Sequence, residues 1–471
     1  MTSSPRTLVL GVVGGAVVVG AVRLLARRLR AASANATGNS GIGVPLPRAP
    51  EHGTCIYLDY QATTPVWPEV AEAAIPYLRL HWGNPSSGHA FGKPSAAAVK
   101  RARAAVARLI GASPDEILFT ACGSEADNHA IVGAIEAEEA RRRLAGVGAG
   151  PLPHVVTSNI EHPAIVECLE AARACGRADV TYVPADGEGR VSAAAVAAAL
   201  TPQTVLVTVM AANNEVGALQ PIAEIVAACR ATMPGVLVHT DAAQSVGKVA
   251  VDVEALGVDL LTLVGHKFGA PKGVAALYVR RGLQLPNFLH GGGQEGGRRA
   301  GTECVVLVTA LGRAAEIARD ELAALQAHMR ATRDRLAQLL WEGLATAEGD
   351  GALLRRNGPK DEEHRLPNTL SVGIRGVQAS ALLATLSEQV AASAGAACHT
   401  DHASVSAVLR AMDVPHDYAV GTLRLSTGRH TTMDDVERGA ALILAEAKAQ
   451  LRREPTGQHE AAAVQCLDSR G

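Results

Sequence analysis

"VLVHTDAAQSVG" (236–247) is an apolar run that ends on a carboxylate, Asp241, and continues into a turn of small residues. The run reads as a buried β-strand, and an unpaired carboxylate buried at its end would be costly, so Asp241 needs a cationic partner. The pattern recurs on either side. "EILFT" (116–120), "HVVTS" (154–158), "VTYVP" (180–184), "TVLVTVM" (204–210), "DLLTLVG" (259–265) and "VAALYVRR" (274–281) are further strand-like runs. Between them lie Ala-rich helical stretches such as "PSAAAVKRARAAVARLIG" (94–111) and "PAIVECLEAARAC" (163–175). This alternation predicts an α/β fold, with a mostly parallel seven-stranded sheet sandwiched by helices. Ligands of such sheets gather at the carboxyl ends of the strands, which directs attention to the polar residues that follow each run.

At 471 residues the chain predicts two domains rather than one small core. Hydrophobic residues make up 48% and aromatics only 3%, so Ala and Val dominate, as suits helices and buried parallel strands. A net charge of −2 offers no electrostatic footprint for nucleic acid, and none is expected as a partner. Eight scattered cysteines without a C-x-x-C pair predict a reducing compartment and no disulfide framework, and argue against a structural zinc site.

Residues 1–30 stand apart. "TLVLGVVGGAVVVGAVRLLARRLR" (7–30) is apolar and then arginine-rich, and no acid precedes Glu51. It reads either as a membrane anchor that leaves the catalytic part cytosolic, or as an acid-poor organelle transit segment. Residues 31–54 are expected to form a linker. Residues 55–304 are expected to form a large domain whose start also contributes to the small one. A single connecting helix is predicted over 305–345 and a smaller α+β domain over 346–452, built around "TLSVGIRG" (369–376) and "GTLRLSTG" (421–428). Residues 453–471 read as a polar tail. Any membrane contact would be through the N-terminal segment alone.

The strand ends carry the chemistry. After "EILFT", Gly123 and Ser124 open a helix whose N-terminus is either an anion site or a simple serine cap. His162 follows "HVVTS", and Asn213, Asn214 and Glu215 follow "TVLVTVM". Gln244 can donate from the same side as Asp241. "VGHKFGAPKG" (264–273) places Lys267 after another strand, beside His266 and a Gly/Pro turn. A lysine against desolvating walls can lose its proton and form a Schiff base. Lysine for an aldehyde, aspartate for a ring nitrogen and a helix N-terminus for a phosphate together make a pyridoxal 5'-phosphate constellation. "GAACHTDH" (395–402) remains open on this reading: a metal cluster, a catalytic thiol or a polar loop.

Further stretches carry a family resemblance: "YLDYQATTP" (57–65), "GNPSSGH" (83–89), "GGGQEGGRRAGT" (291–302), "RLPNTLSV" (365–372) and "LRLSTGRHTT" (423–432). With the motifs above and "GAACHTDH", they occur in the order found in cysteine desulfurases and selenocysteine lyases, and the chain resembles that family from about Ile56 to about Leu442. The resemblance implies a fold-type I enzyme of the class V aminotransferase group. It implies Lys267 as the Schiff-base lysine, Asp241 on the pyridinium nitrogen, and Gln244 and Asn214 on the ring oxygen. His162 would stack on the ring as a catalytic residue, and Gly123, Ser124 and His266 would contact the phosphate. Thr302 would reach the phosphate of a neighbouring subunit, implying a homodimer. Arg424 would clamp the substrate carboxylate, and Cys398 would be the active-site thiol.

Two features lean toward the lyases. Val264 stands where desulfurases have a small hydroxyl residue, and "GAACHTDH" is similar to the lyase pattern, with His399, Asp401 and His402 placed to adjust protonation of Cys398 or of the leaving atom. The expected activity is conversion of L-selenocysteine to L-alanine and selenide. The alternative is a cysteine desulfurase that acts on L-cysteine and passes persulfide sulfur from Cys398 to an acceptor protein. A third reading is a membrane-tethered scaffold of the same fold. Cys122, unusual in its motif, is expected to be a buried small residue.

Overall fold

In the computed structural model, residues 55–146, 150–345, 352–399 and 402–453 are described, with 396–399, 402–404 and 453 described through their backbone alone. The N-terminal segment, most of the linker and nearly all of the tail lie outside the described residues.

All seven expected strands form, and they form one sheet. They are β2 (Ile117–Thr120), β3 (His154–Ser158), β4 (Asp179–Val183), β5 (Thr204–Thr208), β6 (Leu237–Asp241), β7 (Leu260–Val264) and β8 (Ala275–Val279), after a short β1 (Ile56–Tyr57). The spatial order is β2-β8-β7-β6-β5-β3-β4. Only β8 runs against its neighbours, and the pairings among β3, β4, β5, β6 and β7 are parallel. Both faces are covered, so strand residues of either parity are buried: β7 and β8 are buried throughout. That is why these strands read as continuous apolar runs rather than as alternation. On one face Val238, Leu261 and Ala276 pack with Val99, Val106 and Leu311 from the helices Gly92–Leu109 and Val305–Asp320. On the other, Leu206, Leu260 and Leu277 pack with Ile131, Ile135 and Leu169 from Gly123–Leu144 and Pro163–Ala174.

A second, antiparallel sheet follows. Its strands are β9 (Leu354–Asn357), β10 (Thr369–Ile374), β12 (Ser393–Ala394) and β15 (Thr422–Ser426), in the order β12-β15-β10-β9. Leu370, Val372, Leu423 and Leu425 pack there with Leu336, Leu340 and Ile443. β11 (Val390–Ala391) pairs in parallel with β1, so the first described strand sits beside this later part of the chain. β13 (Ala396–His399) and β14 (His402–Val405) form a hairpin.

The helical pattern after Thr302 departs from expectation. It is two helices, Val305–Asp320 and Leu322–Leu344, meeting at Glu321. The reason lies in what each buries. The first packs on the large-sheet core, whereas the second leaves it after Met329 and continues into the core of the small sheet.

Where the helices Gly92–Leu109 and Val305–Asp320 cross, a Cβ on Gly312 would lie 2.6 Å from the Ala102 Cα. Gly312→Val should therefore force the two helices apart and cost about 1–3 kcal/mol. An earlier urea transition with secondary structure retained would show it, and an unchanged transition would mean that the helix contact is not tight in solution.

Candidate active site

The site is built where two neighbouring parallel strands end. Asp241 is the last residue of β6, and β7 runs through Val264 into a single 3₁₀ turn, Gly265–Lys267, that carries the lysine. A cavity of about 230 Å³ lies above these ends. Its walls include Gly123, Ser124, His162, Asn214, Asp241, Gln244, His266 and Lys267. Eight residues singled out from the sequence thus converge on one space, each placed at or shortly after the end of a strand.

Lys267 Nζ donates to two backbone carbonyls, Gln61 O at 2.8 Å and Ala62 O at 2.9 Å. Burial, joined by the nearby Arg424 cation, pushes its ammonium down to about 8, against the pull of Asp241 and Asp59. Asp241 is 7% exposed and its Oδ1 accepts from the Ala243 N–H at 2.9 Å. Burial raises its carboxyl, while that N–H, His162 and Lys267 oppose the rise. His162 caps the helix Pro163–Ala174, and its Nδ1 accepts from the Ala164 N–H at 3.1 Å. That bond leaves the other ring nitrogen to carry the proton of the neutral form. Desolvation and Lys267 push its imidazole below the usual value. His266 is pushed down to about 4, chiefly by desolvation, and sits 3.1 Å from Thr63 Oγ1.

Sequence reasoning missed four participants. Asp127, in the helix that opens at Gly123, lines the cavity at 2% exposure, and its Oδ1 has no hydrogen-bond partner among the described residues. Burial and the nearby Asp241 raise it well above the carboxylate range. Glu161, raised to about 8 by burial, is held by the Ser158 hydroxyl and accepts from the Met210 N–H at 3.1 Å. Lys248 is 3% exposed, with Nζ 3.0 Å from Gln244 Oε1. Asp59 accepts from Arg424 at 2.9 Å. Asp127 lies in the first turns of the helix that opens at Gly123, and Glu161 directly precedes the cap His162, places where a carboxylate reads as an ordinary surface charge. Lys248 directly follows the "HTDAAQSVG" run, and its closeness to that run was the available signal.

Arg424, on β15, does not line this cavity. It lies on a second one that shares Asn214, with Glu215, Ser393, Gly395 and Ser406. Its guanidinium bonds Asp59, Ser393 Oγ at 2.8 Å and Asn214 O at 3.1 Å. Gly395 and Ser406 form the base of the β13–β14 hairpin, with the Ser406 N–H bonded to Gly395 O at 2.9 Å. Cys398 and His399 lie on β13 and His402 on β14, but their side chains, and Asp401 entirely, lie outside the described residues. Thr302 is exposed and does not line the cavity. Cys122 corrects the sequence reading. It stands at the N-cap position of the helix in extended conformation, at the cavity wall, and is exposed because the helix begins only after it.

Comparisons with known proteins identify the family. The class-V aminotransferase family model matches residues 56–438. The chain is 41% identical to a cysteine desulfurase of Trichormus azollae, over 81% of this chain and 90% of that one. It is 42% identical to the selenocysteine lyase of Bos taurus, over 83% and 92%. The solved structure of a NifS-like protein superposes with a TM-score of 0.74 at 33% identity, covering 83% of this chain and 98% of that one. The chain belongs to the class-V aminotransferase family, and it is a pyridoxal 5'-phosphate enzyme of the cysteine desulfurase and selenocysteine lyase group.

In the cofactor-free protein, labelling of Lys267 by an amine-selective reagent should be half-maximal near pH 8, against about 10.4 for ordinary lysines. Arg424→Leu removes a cation that favours loss of the proton, so the half-point should move upward. Peptide mapping across a pH series reads both, and a wild-type half-point near that of surface lysines would contradict the burial argument.

Proposed function

We propose that the enzyme is a selenocysteine lyase that converts L-selenocysteine to L-alanine and releases selenium. The observation that supports it is the apolar wall at Val264. This side chain lines the cavity and packs so closely on the helix start that a Cβ on Gly123 would lie 2.7 Å from its Cγ2. No hydroxyl is available there to help activate a thiol, and the hairpin sequence "CHTDH" (398–402) points the same way.

The residues fit the cofactor. Asp241 is a buried carboxyl whose charge needs a cation, which a protonated ring nitrogen provides. The first-turn N–H groups at Gly123 and Ser124, with His266, would hold the phosphate. Gln244 and Asn214 would meet the ring oxygen, His162 the ring face and Lys267 the aldehyde. Thr302 from a second copy would complete the phosphate set, which makes the working form a homodimer. When bound, the cofactor supplies an electron sink for the pair left at the substrate's α-carbon. Arg424 exchanges Asp59 for the substrate carboxylate, using its planar fork. Lys267, an amine with a pKa of about 8, takes the α-proton and holds it for return.

With Cys398 as acceptor the atoms balance. The Cβ–Se bond breaks, an S–Se bond forms at Cys398, and the carbon that lost selenium ends as a methyl group. Two further thiols, oxidised to a disulfide, would then release the selenium as selenide. A selenol is more acidic than a thiol and departs more readily, so an apolar wall penalises sulfur more than selenium. The second reading, a cysteine desulfurase that leaves persulfide on Cys398 for an acceptor protein, is supported by the name of the Trichormus azollae relative.

The purified protein should release alanine from L-selenocysteine faster than from L-cysteine by roughly tenfold or more, about 1.4 kcal/mol in barrier. Lys267→Ala should abolish both and lose the visible cofactor band. Comparable release from cysteine, lost in Cys398→Ala, would assign the desulfurase reading instead.

A further inference from the structure

Lys248 is the most deeply buried amine near the site, and the chemistry above does not use it. It is 3% exposed, and its Nζ donates to two acceptors of one residue: Gln244 Oε1 at 3.0 Å and Gln244 O at 3.2 Å. Burial, with the Lys267 and Arg424 cations, pushes its ammonium well below the usual value. Whether charged or neutral, the amine can donate both bonds.

Gln244 is thereby caught between unlike partners. Its Nε2 donates to Gln61 O at 3.1 Å, a carbonyl that can only accept. The amide orientation is fixed from both sides: nitrogen toward Gln61 O, oxygen toward Lys248. Nε2 carries two hydrogens and Gln61 O takes one. Gln244 lines the cavity, so the second is left for a ligand acceptor there.

We propose that Lys248 is a positioning residue: by holding the amide oxygen of Gln244 it keeps the N–H end turned to the cavity, where it stabilises the negative charge on the cofactor's ring oxygen. The inference rests on the cofactor reading above. Removing Lys248 leaves a buried amide oxygen unsatisfied, and the amide turns to recover a partner.

The test is spectroscopic. Wild type, Lys248→Met, Gln244→Met and the double variant are loaded with pyridoxal 5'-phosphate at one pH. The ratio of the long-wavelength band, in which the ring oxygen is anionic, to the short-wavelength band is then recorded. Lys248→Met should lower the ratio about fivefold, the worth of one hydrogen bond. Gln244→Met should lower it as much, and the double variant no further. An unchanged ratio in folded Lys248→Met, or additive losses in the double, would overturn the proposal. If Lys248→Met does not fold, Gln244→Glu keeps an acceptor for Lys248 but cannot donate into the cavity. Its ratio should fall, and a wild-type ratio would overturn the proposal. Absence of any bound-cofactor band in wild type would instead sink the cofactor reading, and the proposal with it.

Discussion

The site depends on one hydrogen-bonded amine. Lys267 Nζ donates to Gln61 O and Ala62 O, two backbone carbonyls more than 200 residues away in sequence. An ammonium at a strand end would normally turn into water. Here the wall formed by residues 59–64 removes the water and offers carbonyl oxygens in its place. These are weaker partners than a carboxylate, and the amine is accordingly pushed down to about 8 instead of being locked as a cation. A full ion pair would have held the proton on; open solvent would have left the lysine in its ordinary range. Backbone carbonyls at the edge of a cavity give the intermediate case that Schiff-base chemistry needs.

The same short segment ties the two sheets together. Asp59 bridges to Ser426 and pairs with Arg424, and the Gln61 N–H donates to Ser426 Oγ at 2.9 Å, all on β15. Thr64 bonds the other side: its N–H and hydroxyl both reach His266 O, and its oxygen accepts from the Gly269 N–H at 2.8 Å. Gly428 is required for this approach, since a Cβ there would lie 2.0 Å from the Tyr60 ring. The segment therefore places a carboxylate-binding arginine from the small sheet and a lysine from the large one against a common support. Asp59 occupies Arg424 at one end of it, and Lys267 is held by carbonyls two and three residues further along.

Much of this was legible in the sequence, for a physical reason. A parallel strand buried on both faces has to be apolar throughout, so a polar residue at its end stands out; all seven strands, Asp241, Lys267 and His162 were found that way. The long pattern after Thr302 was read as one helix because periodicity records which face is apolar, not which core that face meets, and the break at Glu321 follows from a change of core. The residues that were missed share a different trait. Asp127, Glu161 and Lys248 belong to residue types whose ordinary place is the surface, and only the three-dimensional enclosure makes them exceptional. Asp59 and Gln61 act largely through pairing and main chain across hundreds of residues, which local sequence does not encode.

The three buried carboxyls around the end of β6 show why enclosure matters. Asp127, Glu161 and Asp241 cannot all ionise in one poorly solvated space, and burial raises each of them. Their partners then divide the roles. Glu161 is spoken for by Ser158 and the Met210 N–H and serves to join β3 to the loop after β5. Asp127 has an oxygen without a partner and a neighbour, Asp241, that disfavours its charge. Asp241 alone has His162 and Lys267 favouring ionisation. It is thus the carboxyl best placed to become the anion when a cation arrives, while burial and Asp241 itself disfavour charge on Asp127. A single aspartate in water would be charged whatever lay opposite. Set among two other acids at the end of a buried strand, Asp241 would take its charge opposite a cation, and a protonated ring nitrogen placed there would meet the condition for a ring to act as an electron sink.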